Sequence, residues 1–222
     1  MDNLDTGGMA GEIVDTCRMM MSTGLVVGTW GNVSRRCLPE IFQITPSGIP
    51  YQELQPADIV AVDLNSGDCS GSLRPSTETP MHLAIYRRRP DVGAIVHTHS
   101  PYAAVFAVNR TEIPVLLEEM AQLVGGGVRV APYAAPGTAE LAEGAVDTLE
   151  GRAAVLLANH GLVGVGRTLK DALTVCQVVE KSAQVFLWAK LSGSPHLLGE
   201  QEIQKLRQGF LQNYGQPGTA KP

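Results

Sequence analysis

The 222-residue chain has only four cysteines, Cys17, Cys37, Cys69 and Cys176. They form no CxxC pair and no scaffold spacing, which excludes a disulfide framework and fits thiols kept reduced. No secretory pattern opens the chain, so the expected compartment is the cytoplasm. No apolar run is long enough to span a membrane. No basic cluster offsets the net charge of −5, so nucleic acid is not the expected partner. The one basic run, Arg87-Arg88-Arg89, falls at a helix end, where cations suit the helix dipole. No Gly-Lys-Ser/Thr ending marks a P-loop, and there is no internal repeat. Length and 44% apolar residues suit one domain over 1–222, with 1–8 and 216–222 as flexible tails.

What is present centres on Gly93-Ala-Ile-Val-His97-Thr-His99-Ser100. An apolar, β-branched run closed by Pro101 predicts a buried strand. Side chains alternate along a strand, so His97 and His99 share a face, roughly 7 Å apart along it. Two imidazoles so placed can grip a metal ion, or can be hydrogen-bonded core histidines. A third histidine tips the balance to metal. Ala153 to Asn159 is a second apolar strand that ends in His160-Gly161. Three of the five histidines close apolar strands, and catalytic zinc sites take three protein ligands and keep one position open.

Periodicity predicts helices over Gly11–Met21, Met81–Arg88, Pro101–Val108, Ala139–Leu149, 169 to about Leu191 and Glu200–Gln212. Pro114–Val124 carries Glu118-Glu119 ahead of the Gly125-Gly-Gly127 break. Strands are predicted over Ile41–Thr45, Asp58–Leu64, Val128–Ala131, Ala153–Ala158 and Leu162–Val165. Some connections are too short for parallel crossovers, so the expected sheet is mixed and largely antiparallel, between helices. Ser76 or Thr77 can cap the Met81 helix, placing Glu78 in its first turn. Glu78 is then either helix-dipole decoration or a carboxylate beside the metal. His82, one turn later, reads as a supporting or structural residue, not a ligand. The segment Gly28-Thr29-Trp30-Gly31-Asn32-Val33-Ser34 is either an ordinary turn or a loop able to hold an anion.

Taken together, Gly28–Ser34, Ile44-Thr-Pro-Ser47-Gly48-Ile-Pro50, Pro75-Ser76-Thr77-Glu78, His97-Thr-His99, Ala131-Pro-Tyr133 with Gly137-Thr138, and Asn159-His160-Gly161 resemble the class II, zinc-dependent sugar-phosphate aldolases. The likeness runs from about residue 10 to Tyr214. It implies a three-layer α/β/α sandwich, assembled as a homotetramer with active sites between subunits. It implies one Zn2+ per subunit, or another divalent metal in its place, held by His97, His99 and His160. Glu78 would ligate zinc in the empty site and act as acid/base in turnover. Thr29, Asn32, Ser47, Gly48, Ser76 and Thr77 would hold the substrate phosphate. Tyr214 would reach into a neighbouring subunit's site and help to protonate the aldehyde oxygen.

The implied reaction cleaves a ketose 1-phosphate of the fuculose, 5-deoxyribulose or 5-methylthioribulose type to dihydroxyacetone phosphate and an aldehyde, through a zinc-stabilised enediolate. No Schiff-base lysine is required. The five lysines fall in helical or tail stretches. The superfamily also holds a ribulose-phosphate 4-epimerase, a methylthioribulose-phosphate dehydratase and non-catalytic adducin-like scaffolds. Glu78 in place of the epimerase's aspartate, the 61-residue spacing from His99 to His160 (160 − 99) and the Tyr214-Gly215 ending are aldolase-like. Thr29-Trp30-Gly31 and Thr79 to Tyr86 are epimerase-like. Glu118 stands where the fuculose-phosphate enzymes carry an acidic tyrosine. It is a second acid/base, a reader of substrate hydroxyls, or an exposed helix carboxylate.

Overall fold

The computed structural model describes residues 6–214. Residues 1–5, Gly215 and the expected tail at 216–222 lie outside them. Helix α1 (Thr6–Ser22) starts inside the stretch expected to fray and ahead of Gly11. Ile13, Val14, Cys17 and Met20 are its buried face, at the spacing that aligns side chains on a helix. Strands β1 (Asn32–Leu38), β2 (Ile41–Ile44), β3 (Val60–Asp63) and β4 (Cys69–Ser70) follow as an antiparallel meander. Strand β1 was not expected from the sequence.

Next come α2 (Thr79–Arg88), β5 (Ala94–Thr98), α3 (Pro101–Asn109), α4 (Glu118–Val124) and β6 (Val130–Ala131). Then follow α5 (Ala139–Leu149), β7 (Ala154–Leu157), β8 (Gly161–Gly166), α6 (Leu169–Ser192) and α7 (Glu200–Asn213). The eight strands form one sheet in the order β4-β3-β2-β1-β5-β8-β7-β6. Only β6 with β7 pairs parallel among them, so the expected mixed, largely antiparallel sheet is the one found. Every residue of β5 and of β7 is buried. Successive side chains point to opposite faces, so both faces of the sheet's middle are covered, as an α/β/α sandwich requires. Each large aliphatic side chain removed from water there contributes roughly 1.5–3 kcal/mol.

Local chemistry sets the helix ends. Thr168 Oγ1 accepts from the Asp171 amide and Asp171 Oδ2 from the Thr168 amide, both at 3.1 Å, a reciprocal box that starts α6. Thr138 Oγ1 accepts from the Leu141 amide at 3.2 Å and starts α5. The first turn of α3 is capped from a distance. Glu180 on α6 accepts from the Tyr102 and Ala103 amides at 2.9 and 2.8 Å. That contact fixes the helix that follows the histidine strand.

Candidate metal centre and active site

The site lies where three chain segments end together. His97 is in the last turn of pleat in β5, and His99 lies just past it. β5 pairs antiparallel with β8 in a register that sets Thr98 opposite Leu162. That register brings the β7–β8 turn, with His160, to the end of β5. Asn159 takes a left-handed conformation (φ 56°) to make the turn, which asparagine tolerates better than most residues. Asn32, the first residue of β1, pairs with His97 on the other side. Two glycines permit the closeness. A Cβ on Gly161 would lie 2.3 Å from the Thr98 carbonyl oxygen and 3.0 Å from His97 Cε1. A Cβ on Gly31, at φ +90°, would lie 2.6 Å from the His97 carbonyl oxygen.

Four donor groups converge. His97 Nε2 is 3.0 Å from His99 Nε2 and 3.3 Å from His160 Nε2. Glu78 Oε2 is 3.1 Å from His97 Nε2, and Oε1 is 3.3 Å from His160 Nε2. Four ligands held about 2.0–2.1 Å from a tetrahedral zinc are about 3.3–3.4 Å from one another. The separations from His97 and from Glu78 to His160 are near that value, and the three histidine ligand atoms all lie within 4.8 Å of one another. His97 Nδ1 donates to the Leu162 carbonyl at 3.0 Å, which fixes the tautomer and leaves the Nε2 lone pair for a metal. Glu78 Oε1 is buried with no hydrogen-bond partner. Its approach to His160 satisfies ion-pair distance but not hydrogen-bond alignment. An orphaned carboxylate oxygen among three imidazoles is what a cation would satisfy, so these residues fit a metal ion.

The electrostatics agree. Burial raises the Glu78 pKa, but the facing His97 and His160 and the Asn32 amide outweigh it and hold the carboxyl well below the usual range. Burial lowers that of His97, but Glu78 and the Leu162 carbonyl outweigh it and raise it. Burial first and His97 next pull His99 down to about 3 and His160 to about 4. Positive charge is therefore favoured at one point, beside the carboxylate, with two neutral imidazoles around it. A divalent cation meets the same demand.

Glu78 is not inside the first turn of α2, as the sequence suggested, but at its N-cap position. Its side chain makes no capping bond, because it turns to the histidines instead. Ser76 Oγ accepts from the Glu78 amide at 3.2 Å. Pro46 bridges to Pro75, and the Ser47 amide donates to the Arg74 carbonyl at 3.0 Å. These bonds bring Ser47 and Gly48 beside Ser76 and Thr77 at the start of α2. Thr29 is exposed on the loop that leads to Asn32. The Asn32 amide nitrogen donates to Glu78 Oε2 at 2.8 Å.

Glu118 and Tyr214 are elsewhere. Together with Gln122, Leu198, Lys205 and Phe210 they line a cavity of about 500 Å3 between α4 and α7. None of the three histidines lines it. Tyr214 stacks at 4.6 Å on Phe210 and is 64% exposed.

Sequence reasoning missed two neighbours of the cluster. Trp30, an exposed side chain, lies with its ring 5.8 Å from that of His99. Ser34 is buried against His82 and Tyr86. An exposed tryptophan between two glycines was the available signal for the first. Nothing in local sequence signals the second.

The comparisons with known proteins follow this geometry. The family model "Class II Aldolase and Adducin N-terminal domain" matches residues 11–187. A 5-deoxy-D-ribulose 1-phosphate aldolase of Bacillus thuringiensis serovar kurstaki is 42% identical over 92% of this chain and 96% of its own. A 5-methylthioribulose-1-phosphate/5-deoxyribulose-1-phosphate aldolase of Rhodospirillum rubrum is 38% identical over 91% of this chain and 90% of its own. A solved L-fuculose 1-phosphate aldolase superposes with a TM-score of 0.87 at 38% identity, covering 90% of this chain and 95% of that one. With that match across most of its length and a converged histidine set, the chain belongs to the class II aldolase and adducin N-terminal domain family.

Proposed function

We propose that the chain is a Zn2+-dependent aldolase that cleaves a ketose 1-phosphate to dihydroxyacetone phosphate and an aldehyde. The substrate class is that of the relatives: 5-deoxyribulose, 5-methylthioribulose or fuculose 1-phosphate. The observation that carries this reading is the convergence of the His97, His99 and His160 ring nitrogens, within 4.8 Å of one another, with the Glu78 carboxylate 3.1 and 3.3 Å from two of them. An adducin-like scaffold would have no use for it. His97, His99 and His160 would hold the ion, with Glu78 completing the set before substrate arrives. When bound, the ion supplies Lewis-acid stabilisation of the oxygen charge that builds as the C3–C4 bond breaks.

The chain's own residues do the rest. Glu78 is ionised and within reach of the reacting centre, and it moves the proton on C3 of the three-carbon fragment. The side chains of Thr29, Ser47, Ser76 and Thr77 and the backbone at Gly48 and Thr77 hold the phosphate, close to the start of α2, where amides favour an anion; the Ser47 and Ser76 amides are already engaged with carbonyls. Asn32, engaged with Glu78 and His82, joins them only by releasing one of those bonds. Phosphate binding far from the breaking bond positions the reacting carbons. Tyr214 exchanges the proton on the aldehyde oxygen, and Glu118 beside it reads substrate hydroxyls or shares that proton. Their place in a separate cleft supports a homotetramer in which the α4–α7 cleft serves a neighbouring subunit's metal centre. Among the described residues no helix is long and apolar enough to cross a membrane. The working compartment we infer is the cytoplasm.

The test is a dehydrogenase-coupled assay for triose phosphate on the three ketose 1-phosphates, with and without a chelator. Chelator-sensitive release of dihydroxyacetone phosphate is the expected result. A product that retains the whole carbon skeleton would assign the chain to the epimerase or dehydratase branch.

A further inference from the structure

A file of buried polar side chains runs from the last turn of α2 to Glu78. The Tyr86 hydroxyl is 2.9 Å from Ser34 Oγ. Ser34 Oγ is 2.6 Å from His82 Nδ1. His82 Nε2 is 2.5 Å from Asn32 Oδ1. Asn32 Nδ2 reaches Glu78 Oε2 at 2.8 Å. All five residues are buried, and His82 and Ser34 are wholly so.

Donor and acceptor chemistry gives this file a direction. The ionised Glu78 can only accept, so Asn32 turns its NH2 to Glu78 and its carbonyl oxygen to His82. His82 must then carry its hydrogen on Nε2. Burial keeps the ring neutral, with its pKa pulled down to about 3, so Nδ1 accepts from the Ser34 hydroxyl. Ser34 in turn accepts from Tyr86. Each hydrogen points toward Glu78, and bonds aligned in one sense polarise one another. Helix α2 does not hold the Glu78 side chain itself, since that side chain makes no capping bond.

We propose that His82 is a positioning residue, which holds the Glu78 carboxylate at the metal centre through Asn32. Ser34 and Tyr86 fix the tautomer that makes this possible. The proposal rests on the reading of the three histidines as metal ligands and of Glu78 as their fourth partner and acid/base.

Two substitutions in the full chain separate positioning from packing. His82→Gln keeps an N–H donor near the place of Nε2, whereas His82→Leu fills similar space without one. Affinity is measured with Co2+ alone against a competing chelator, and kcat and KM are measured separately on the preferred ketose 1-phosphate. Loss of a partner that orients a metal ligand typically costs about 10–100-fold in metal affinity or activity. His82→Leu is expected to lose that factor in Co2+ affinity or in kcat with KM unchanged, and His82→Gln to recover most of it. Ser34→Ala, a smaller cut, is expected to lose less in the same quantities, and it decides the matter if His82→Leu does not fold. The proposal is overturned if folded His82→Leu matches the parent, if His82→Gln loses as much as His82→Leu, or if Ser34→Ala changes neither quantity. A parent chain that binds Co2+ but cleaves no ketose 1-phosphate overturns the activity reading alone, because the Co2+ titrations still decide the role of His82. A parent chain that binds no Co2+ overturns both.

Discussion

His97 is wholly buried, with two imidazoles and a carboxylate within 3.3 Å of its Nε2. Tyr214, in contrast, is 64% exposed at the mouth of the α4–α7 cleft. The two regions carry the same kind of residue, titratable and able to pass a proton, in opposite settings. At the strand ends, polar groups are packed against one another, so the site is assembled by folding alone. In the cleft, Glu118 and Tyr214 face outward. A group that faces outward can act on something the chain does not itself contain. On the proposed function, the metal would be held within one subunit and the proton on the aldehyde oxygen exchanged between subunits.

Removing the metal tests the inner region most severely. Chelation is expected to abolish cleavage and to lower Tm, and readdition of Zn2+ to restore both. Metal at about a thousandfold above its Kd stabilises the folded state by about 4 kcal/mol. Calorimetry with and without chelator, beside the coupled assay, reads this. Glu78→Gln comes next. It keeps the shape but loses the base, so kcat should fall about 10²–10⁴-fold with bound metal retained. Wild-type kcat in that variant would remove Glu78 from the chemistry.

Tyr214→Phe should lower kcat at least about tenfold, less than Glu78→Gln, with Tm unchanged. The sharper form mixes Glu78→Gln and Tyr214→Phe subunits. If the two regions serve one site from different subunits, the mixed assembly regains activity that neither parent variant has. Failure to complement in a mixed oligomer would return Tyr214 to its own chain's site or take it out of the reaction. Gly31→Ala should destabilise by about 1–3 kcal/mol in a denaturant titration, from the positive φ and the contact with the His97 carbonyl. It should also weaken metal binding, since that carbonyl belongs to a ligand's backbone. Thr168→Ala, which removes the α6 cap far from both regions, should cost about 1 kcal/mol and leave kcat unchanged.

Much of this was legible in the residues. The helical periodicity from Ala139 and from 169, the apolar run Ala94–Val96 and the turn at His160-Gly161 are local signals, and the elements they announce were found close to where they were expected. That the three strand-closing histidines come together was legible because strand alternation and strand ends can be read locally. Strand β1 was not legible, and its failure has a physical cause. Its buried side chains include Asn32 and Ser34, whose partners are His82, Glu78 and Tyr86 on or beside α2. A strand whose inner face is satisfied by hydrogen bonds from a distant helix shows no hydrophobic alternation. The start of α1 at Thr6 was hidden in a similar way, because its first turn, Thr6-Gly7-Gly8, reads as a loop by propensity. The cleft between α4 and α7 needs the packing of two helices far apart in the chain, which no spacing rule supplies.

The indole of Trp30, exposed beside the His99 ring, gives the molecule an optical gauge of its own occupancy. A paramagnetic ion such as Co2+ seated on that imidazole would quench the indole's emission at short range. Trp188, the one other tryptophan, lies on α6 as a background that substitution can remove. Loading of the centre can thus be followed by light, in real time, without substrate and without a reporter dye.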